Sequence, residues 1–137
     1  MVRAMLIAVL ITIGLQGNAQ TESRITRYNY FFLEAIRQQE MGNLAAAFDL
    51  LNHARDINPK APEVYYEIAG YYVAMQNSKA ARYNFEQAAK LAPDNSTYLE
   101  KLGQFYISQN NYEDALTTYE QLYTSNKTRE DVLQILY

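Results

Sequence analysis

The chain has 137 residues, enough for one domain with a real core, and no cysteine, which excludes disulfides, thiol catalysis and thiolate zinc sites. Its formal net charge is −3, with no basic block and no Lys/Arg stripe, so the phosphate neutralisation that nucleic-acid binding requires is missing.

Residues 1–19 hold Arg3, an apolar run from Ala4 to Leu15, and a small, polar end at Gly17-Asn18-Ala19. This is the layout of a secretory signal peptide, with Ala19 the expected last residue removed. The run is shorter than the roughly 20 residues that span a bilayer. The alternative is an uncleaved segment that holds the chain to a membrane. No cysteine follows the run, so lipid modification of the new N-terminus is excluded. Without residues 1–19, eleven Lys/Arg stand against fifteen Asp/Glu, a net charge of −4. The expected location is the periplasm or the cell envelope. Residues 20–27 read as a linker.

From residue 28 onward one period governs the chain. Asn43, Asn77 and Asn111 recur with a 34-residue period, each after a residue able to end a helix (Gly42, Gln76, Asn110) and before an Ala-rich amphipathic run. Asn is a favoured N-cap, because its side-chain oxygen accepts from otherwise unpaired N–H groups. The same spacing aligns Ala47, Ala81 and Ala115; Leu51, Phe85 and Tyr119; Ala35, Ala69 and Gly103; and Ala54, Ala88 and Leu122. Asn58-Pro59 and Ala92-Pro93 stop helices, since the residue before proline avoids helical geometry. The third unit has Lys127 at that place. Small residues at matching points of paired helices predict close backbone approach, with aromatics filling the remaining space.

This pattern resembles the tetratricopeptide repeat, W-x2-L-G-x2-Y, then A-x3-F, then P. The second unit matches with Tyr65, Ile68, Ala69, Tyr72, Ala81, Phe85, Ala88 and Pro93, the third with Leu99, Leu102, Gly103, Tyr106, Ala115 and Tyr119. The first matches with Phe31, Ala35, Ala47, Leu51, Ala54 and Pro59, while Glu34 and Gln38 stand at usually apolar places. The resemblance implies an all-α, right-handed solenoid of antiparallel helix pairs, with units at 28–61, 62–95 and 96–129. Residues 130–137 then begin a fourth unit or form a capping helix, Leu133 and Leu136 lying one period after Leu99 and Leu102.

EVYYEIAGYYVAMQN, residues 63–77, carries two tyrosine pairs. Tyr65 and Tyr72 differ by about 20° around a helix, and the resemblance places them at large packing positions. It points Tyr66 to the inner concave surface.

Signs of chemistry are few. His53 is the only histidine, with Asp49 and Asp56 on its helical face, and reads as a solvated surface residue. Glu113-Asp114 and Glu130-Asp131 suit the positive end of a helix. The five glycines are scattered, so no phosphate loop is present. Asn95-Ser96-Thr97 and Asn126-Lys127-Thr128 fit the N-glycosylation pattern, and turn or cap roles explain them equally. No metal, no cofactor and no enzymatic activity are expected.

The resemblance implies a peptide-binding concave face built from first-helix side chains: Asn29, Phe32, Ile36, Gln39 and Glu40; Glu63, Tyr66, Gly70, Val73 and Ala74; Thr97, Glu100, Gln104, Ile107 and Ser108. The Lys/Asn/Arg clamp of the chaperone-binding branch is missing, since Phe32, Tyr66, Ile36 and Gly70 stand there. A lining of Phe32, Ile36, Tyr66, Val73 and Ile107 suits an apolar or amphipathic peptide, with Gln39 and Gln104 bonding its backbone. The expected function is a non-enzymatic envelope scaffold with a protein or peptide partner. Any membrane contact is peripheral or through the uncleaved leader, and self-association is open. The alternative is the N-terminal module of a longer protein whose downstream domain is an enzyme or membrane component.

Overall fold

The computed structural model describes residues 2–135, with side chains from residue 17 to residue 127. The described chain is all helix and turn, with no strand. Six helices follow in order: α1 (Val2–Glu40), α2 (Leu44–Ile57), α3 (Pro62–Ala74), α4 (Ser78–Leu91), α5 (Ser96–Ser108) and α6 (Tyr112–Ile135). They form two compact units, Met1–Pro59 and Lys60–Tyr137.

The three turns that fold helices into pairs share one geometry. Gly42, Gln76 and Asn110 have φ of 81°, 58° and 59°, the left-handed region in which a helix C-terminus closes. After each, an asparagine N–H reaches back to the last helical turn: Asn43 to the Gln38 carbonyl, Asn77 to Tyr72 and Asn111 to Tyr106, all at 2.9 Å. The same asparagines stand at the start of the next helix. Asn77 Oδ1 accepts from the Ala80 N–H at 3.1 Å, and Asn111 Oδ1 from Asp114 at 3.4 Å. One residue thus closes one helix and opens another.

Asn43 departs from this role. It makes no side-chain cap bond, and its Nδ2 donates instead to Gln38 Oε1 at 2.8 Å. A polar Gln38 at a usually apolar repeat position offers the amide a competing acceptor. Asn77→Ala is therefore expected to lower unfolding free energy by about 1 kcal/mol, and Asn43→Ala by distinctly less, in urea titrations of the two variants.

In the first unit, α1 and α2 meet through Ala35, Ala47, Leu51 and Ala54, all fully buried. Tyr28 closes one end of this contact, its ring stacked on Phe32 at 5.8 Å and 16°. Residues 20–27, read from the sequence as a linker, are helical and continuous with α1. TESRITRY contains no glycine or proline to break the helix. Residues 1–16 of the expected signal segment lie outside the described side chains, while Gly17, Asn18 and Ala19 at its end are exposed. No helix of the described residues is long and apolar enough to cross a membrane.

The second unit stacks α3–α4 and α5–α6. Its core joins Ala69, Ala81, Phe85 and Ala89 to Leu99, Leu102, Phe105, Tyr106 and Ala115, with Tyr66, Tyr72 and Leu122 packed at its margin. The columns of small residues read from the 34-residue period are the helix crossings. At Gly103 the approach is tight, because a Cβ there would lie 2.8 Å from the Tyr119 ring. Asn84 is buried in the same unit, its Nδ2 on the Ala80 carbonyl at 2.8 Å and its Oδ1 without a hydrogen-bond partner among the described residues.

α6 does not stop where the period expects it to. The helix runs unbroken from Tyr112 to Ile135, through the expected boundary at residue 129. Helix α2 ends at Asn58 before Pro59, and α4 at Ala92 before Pro93. The segment YTSNKTRED has no proline, so nothing halts the helix. A separate fourth helix starting at residue 130 is not formed. The side chains of 130–137 lie outside the described residues.

Candidate functional site

The residues expected to line a concave face fall on α1 in the first unit and on α3 and α5 in the second. On α1, Phe32, Ile36 and Gln39 recur at the spacing of one helical face, and all three are half-buried. Phe32 is engaged by Tyr28, so part of its ring is structural. Asn29 and Glu40 are exposed.

On α3, Tyr66, Gly70 and Val73 share one face, and on α5 Glu100, Gln104 and Ile107 repeat it one period later. Val73 and Ile107 project into solvent as isolated apolar groups. Gly70 has nothing within 4 Å of its Cβ position, so the α3 surface is open between Tyr66 and Val73. Gln104 is exposed and donates to Glu100 Oε1 at 3.2 Å. Ala74, Thr97 and Ser108 are exposed at the margins, and the Ser108 hydroxyl donates to the Phe105 carbonyl at 2.6 Å.

Tyr66 sits at the joint between these helices. Its ring lies 5.1 Å from Tyr98 and 6.3 Å from Phe85, so it ties α3 to α5 and α4 while remaining half-exposed. Tyr98 is not evident from the sequence, because it falls just short of one full period after Tyr66 and outside the repeat columns. An aromatic in the first turn of α5, beside Thr97, was the available signal. Burial, then the charges of Glu63 and Glu67, push the Tyr98 hydroxyl pKa up. Burial and Glu67 do the same to Tyr71. The face is thus aromatic and aliphatic, with carboxylates along its border.

A second feature lies where α4 begins and α5 ends. An open cleft of about 370 Å³ is lined by Ser78, Lys79, Arg82, Phe105, Tyr106, Gln109 and Asn111. Arg82 spans its wall, with Nε on Glu86 at 2.7 Å, an Nη on Asp114 at 3.2 Å, and its guanidinium 5.3 Å above the Tyr106 ring. Tyr106 donates its hydroxyl to Glu86 at 2.6 Å, and burial together with this bond pushes its pKa far up. Asn111 Nδ2 holds Asp114 at 2.6 Å. Two carboxylates already meet the arginine, so the cluster fastens α4, α5 and α6 together. The Arg82/Glu86 pair was legible as an i, i+4 ion pair, whereas its reach to Tyr106 and Asp114 was not.

His53 is exposed, its ring edge-on to Phe31 at 4.3 Å. Among the described residues no group of three or more His, Cys, Asp or Glu could hold a metal ion. Asn95 caps α5, accepting from the Tyr98 N–H at 3.1 Å, which accounts for it without a glycan.

Residues 72–135 match the family model of the tetratricopeptide repeat. Three solved structures of MamA align with the chain over 76% of its length. The fold is a tetratricopeptide-repeat fold. Two of these structures, both of MamA, have TM-scores of 0.68 and 0.67 at 15% identity, with 61% and 57% of their own chains covered. The third, a MamA RS-1 ArsTM double mutant, has a TM-score of 0.68 at 12% identity and 58% coverage. The chain therefore spans about three-fifths of the length of these MamA structures. No curated protein matches its sequence.

Proposed function

We propose that the protein is a non-enzymatic scaffold of the cell envelope that holds an amphipathic peptide segment of a partner protein on the α3–α5 face. The observation carrying this reading is the pair Val73 and Ile107: apolar side chains in identical repeat positions, projecting into solvent beside the half-exposed Tyr66. Apolar groups repeated at one register offer a segment two equivalent anchors, and Gln104 beside them can bond its backbone. Export rests on the N-terminal sequence, whose charged start, apolar run and small-residue end have the order of a leader peptide.

The test is an array of amphipathic peptides carrying one or two Lys or Arg, screened against the fluorescently labelled chain. Peptides retained by the wild type are then titrated with Val73→Asp/Ile107→Asp. Both positions are solvent-facing, so helicity should be unchanged while affinity falls at least tenfold, about 1.4 kcal/mol. Equal affinity for both proteins would remove the α3–α5 face as the binding surface. Tyr66→Ala is the poorer choice, because the ring also packs on Phe85.

A further inference from the structure

Within the second unit the molecule shows how one helix pair receives the next. The receiving face of α4 is Arg82, Phe85, Glu86 and Ala89. The arriving side of α5 brings Phe105 to 5.4 Å from Phe85 and the Tyr106 hydroxyl to Glu86, while Gln109 shares the cleft with Ser78 and Arg82. Ala89 is left 7% exposed.

The repeat period carries this receiving face onto α6 as Leu116, Tyr119, Glu120 and Tyr123, with Tyr112 in the place of Ser78. There it is open. Tyr112 is 63%, Leu116 61% and Tyr123 68% exposed, and the Glu120 carboxylate has no partner among the described residues. It is also more apolar than the α4 face from which the period derives it.

The same period, taken back twice from α5, places Arg37, Gln38 and Met41 where Phe105, Tyr106 and Gln109 stand. These residues, on α1 and the turn after it, match the chemistry of the α6 face. Arg37 would stand over the Tyr119 ring, where Phe105 meets Phe85, as a cation–π contact. The Gln38 amide would donate to Glu120, as Tyr106 does to Glu86. Met41, 60% exposed, would enter between Tyr112 and Leu116, where a thioether packs well on aromatic edges. Arg37 now holds Glu34 through two nitrogens and donates to the Met41 sulfur at 3.0 Å, and Gln38 donates to Glu34 at 2.8 Å, so docking exchanges these bonds within one helix for bonds to the next copy.

We propose that the chain assembles head to tail with itself, the α1 side of one copy docking on the exposed α6 face of the next. Such a contact joins two different surfaces, so each added copy brings a further α1 side and a further α6 face, and growth continues past the dimer. This inference rests on the repeat geometry and is independent of peptide binding on the α3–α5 face.

The test is sedimentation velocity of the full chain from about 1 μM to about 1 mM, beside Met41→Glu and Leu116→Glu. The wild type should grow with concentration past twice the chain mass. Each variant keeps one intact surface and should remain monomeric at every concentration. An equimolar mixture of the two should form a dimer and stop there, since the Leu116→Glu copy supplies α1 and the Met41→Glu copy supplies α6. Arg37→Glu and Tyr123→Glu form a second pair, used if circular dichroism shows lost helicity in the first. A wild type that stays monomeric, association that halts at a dimer, growth untouched by the variants, or a mixture that stays monomeric would each overturn the proposal. Growth driven by the apolar N-terminal run would show itself as variants that polymerise like the wild type.

Discussion

Phe105→Ala should lower the unfolding free energy by about 3–5 kcal/mol, the largest single loss expected in the second unit. Phe105 is buried, packs on Phe85 at 5.4 Å and Tyr106 at 6.4 Å, and forms the floor of the cleft between α4 and α5. Truncation removes apolar area and leaves a void that the rigid helix pairs close only in part. It also exposes the Tyr106–Glu86 bond to water. Two-state chemical denaturation gives the size of the loss. Native-state hydrogen exchange gives its location, since amides of α5 and α6 should lose protection before those of α3. A loss under about 1 kcal/mol would mean that the two pairs do not depend on this ring for their contact.

Gly103→Leu is the second large effect, a destabilisation of about 1–3 kcal/mol from overpacking. Even a Cβ at this position stands 2.8 Å from Tyr119 Cε2 and Cζ, and Leu adds three further carbons along the same line. Tyr119 is half-buried, so its ring can yield only toward solvent or along α6. The diagnostic is the double variant Gly103→Leu/Tyr119→Ala. If crowding is the cause, the two changes should compensate. The pair should then be more stable than the sum of the single losses by about 0.5 kcal/mol or more. Additive losses in thermal denaturation would reject the ring as the obstacle.

Much of this arrangement was legible because the period fixes both caps and crossings. Gly42, Gln76 and Asn110 were readable as helix ends, and the columns through Ala35, Ala47 and their repeats as contact points, since a short side chain at a recurrent place has few other uses. What the sequence could not convey was competition between partners. Asn43 is as good a cap as Asn77, yet Gln38 takes its amide. Tyr66 sits one position from a packing column, and helical angle alone does not say that Tyr98 will arrive beside it. The run of α6 past residue 129 was missed for a related reason. The period was extended as though each unit carried its own stop, whereas the stop is a proline, and the third unit has none.

The candidate face was readable only as a set of positions. That Val73 and Ile107 are open while Tyr66 is partly committed to Phe85 depends on contacts between separate helices, which no local pattern records.

The three left-handed turns bear on how quickly the molecule folds. Each one joins helices that pack directly on each other, so the ordering of a few turn residues brings together contacts that are near neighbours along the chain. Loop-closure entropy is then small at every step, and topology of this kind belongs with the fast helical folders, on the microsecond-to-millisecond scale. Gln76 and Asn110 accept the left-handed geometry less readily than Gly42, because a Cβ crowds the following carbonyl. The α1–α2 turn should therefore cost least to close, and the two turns of the second unit more.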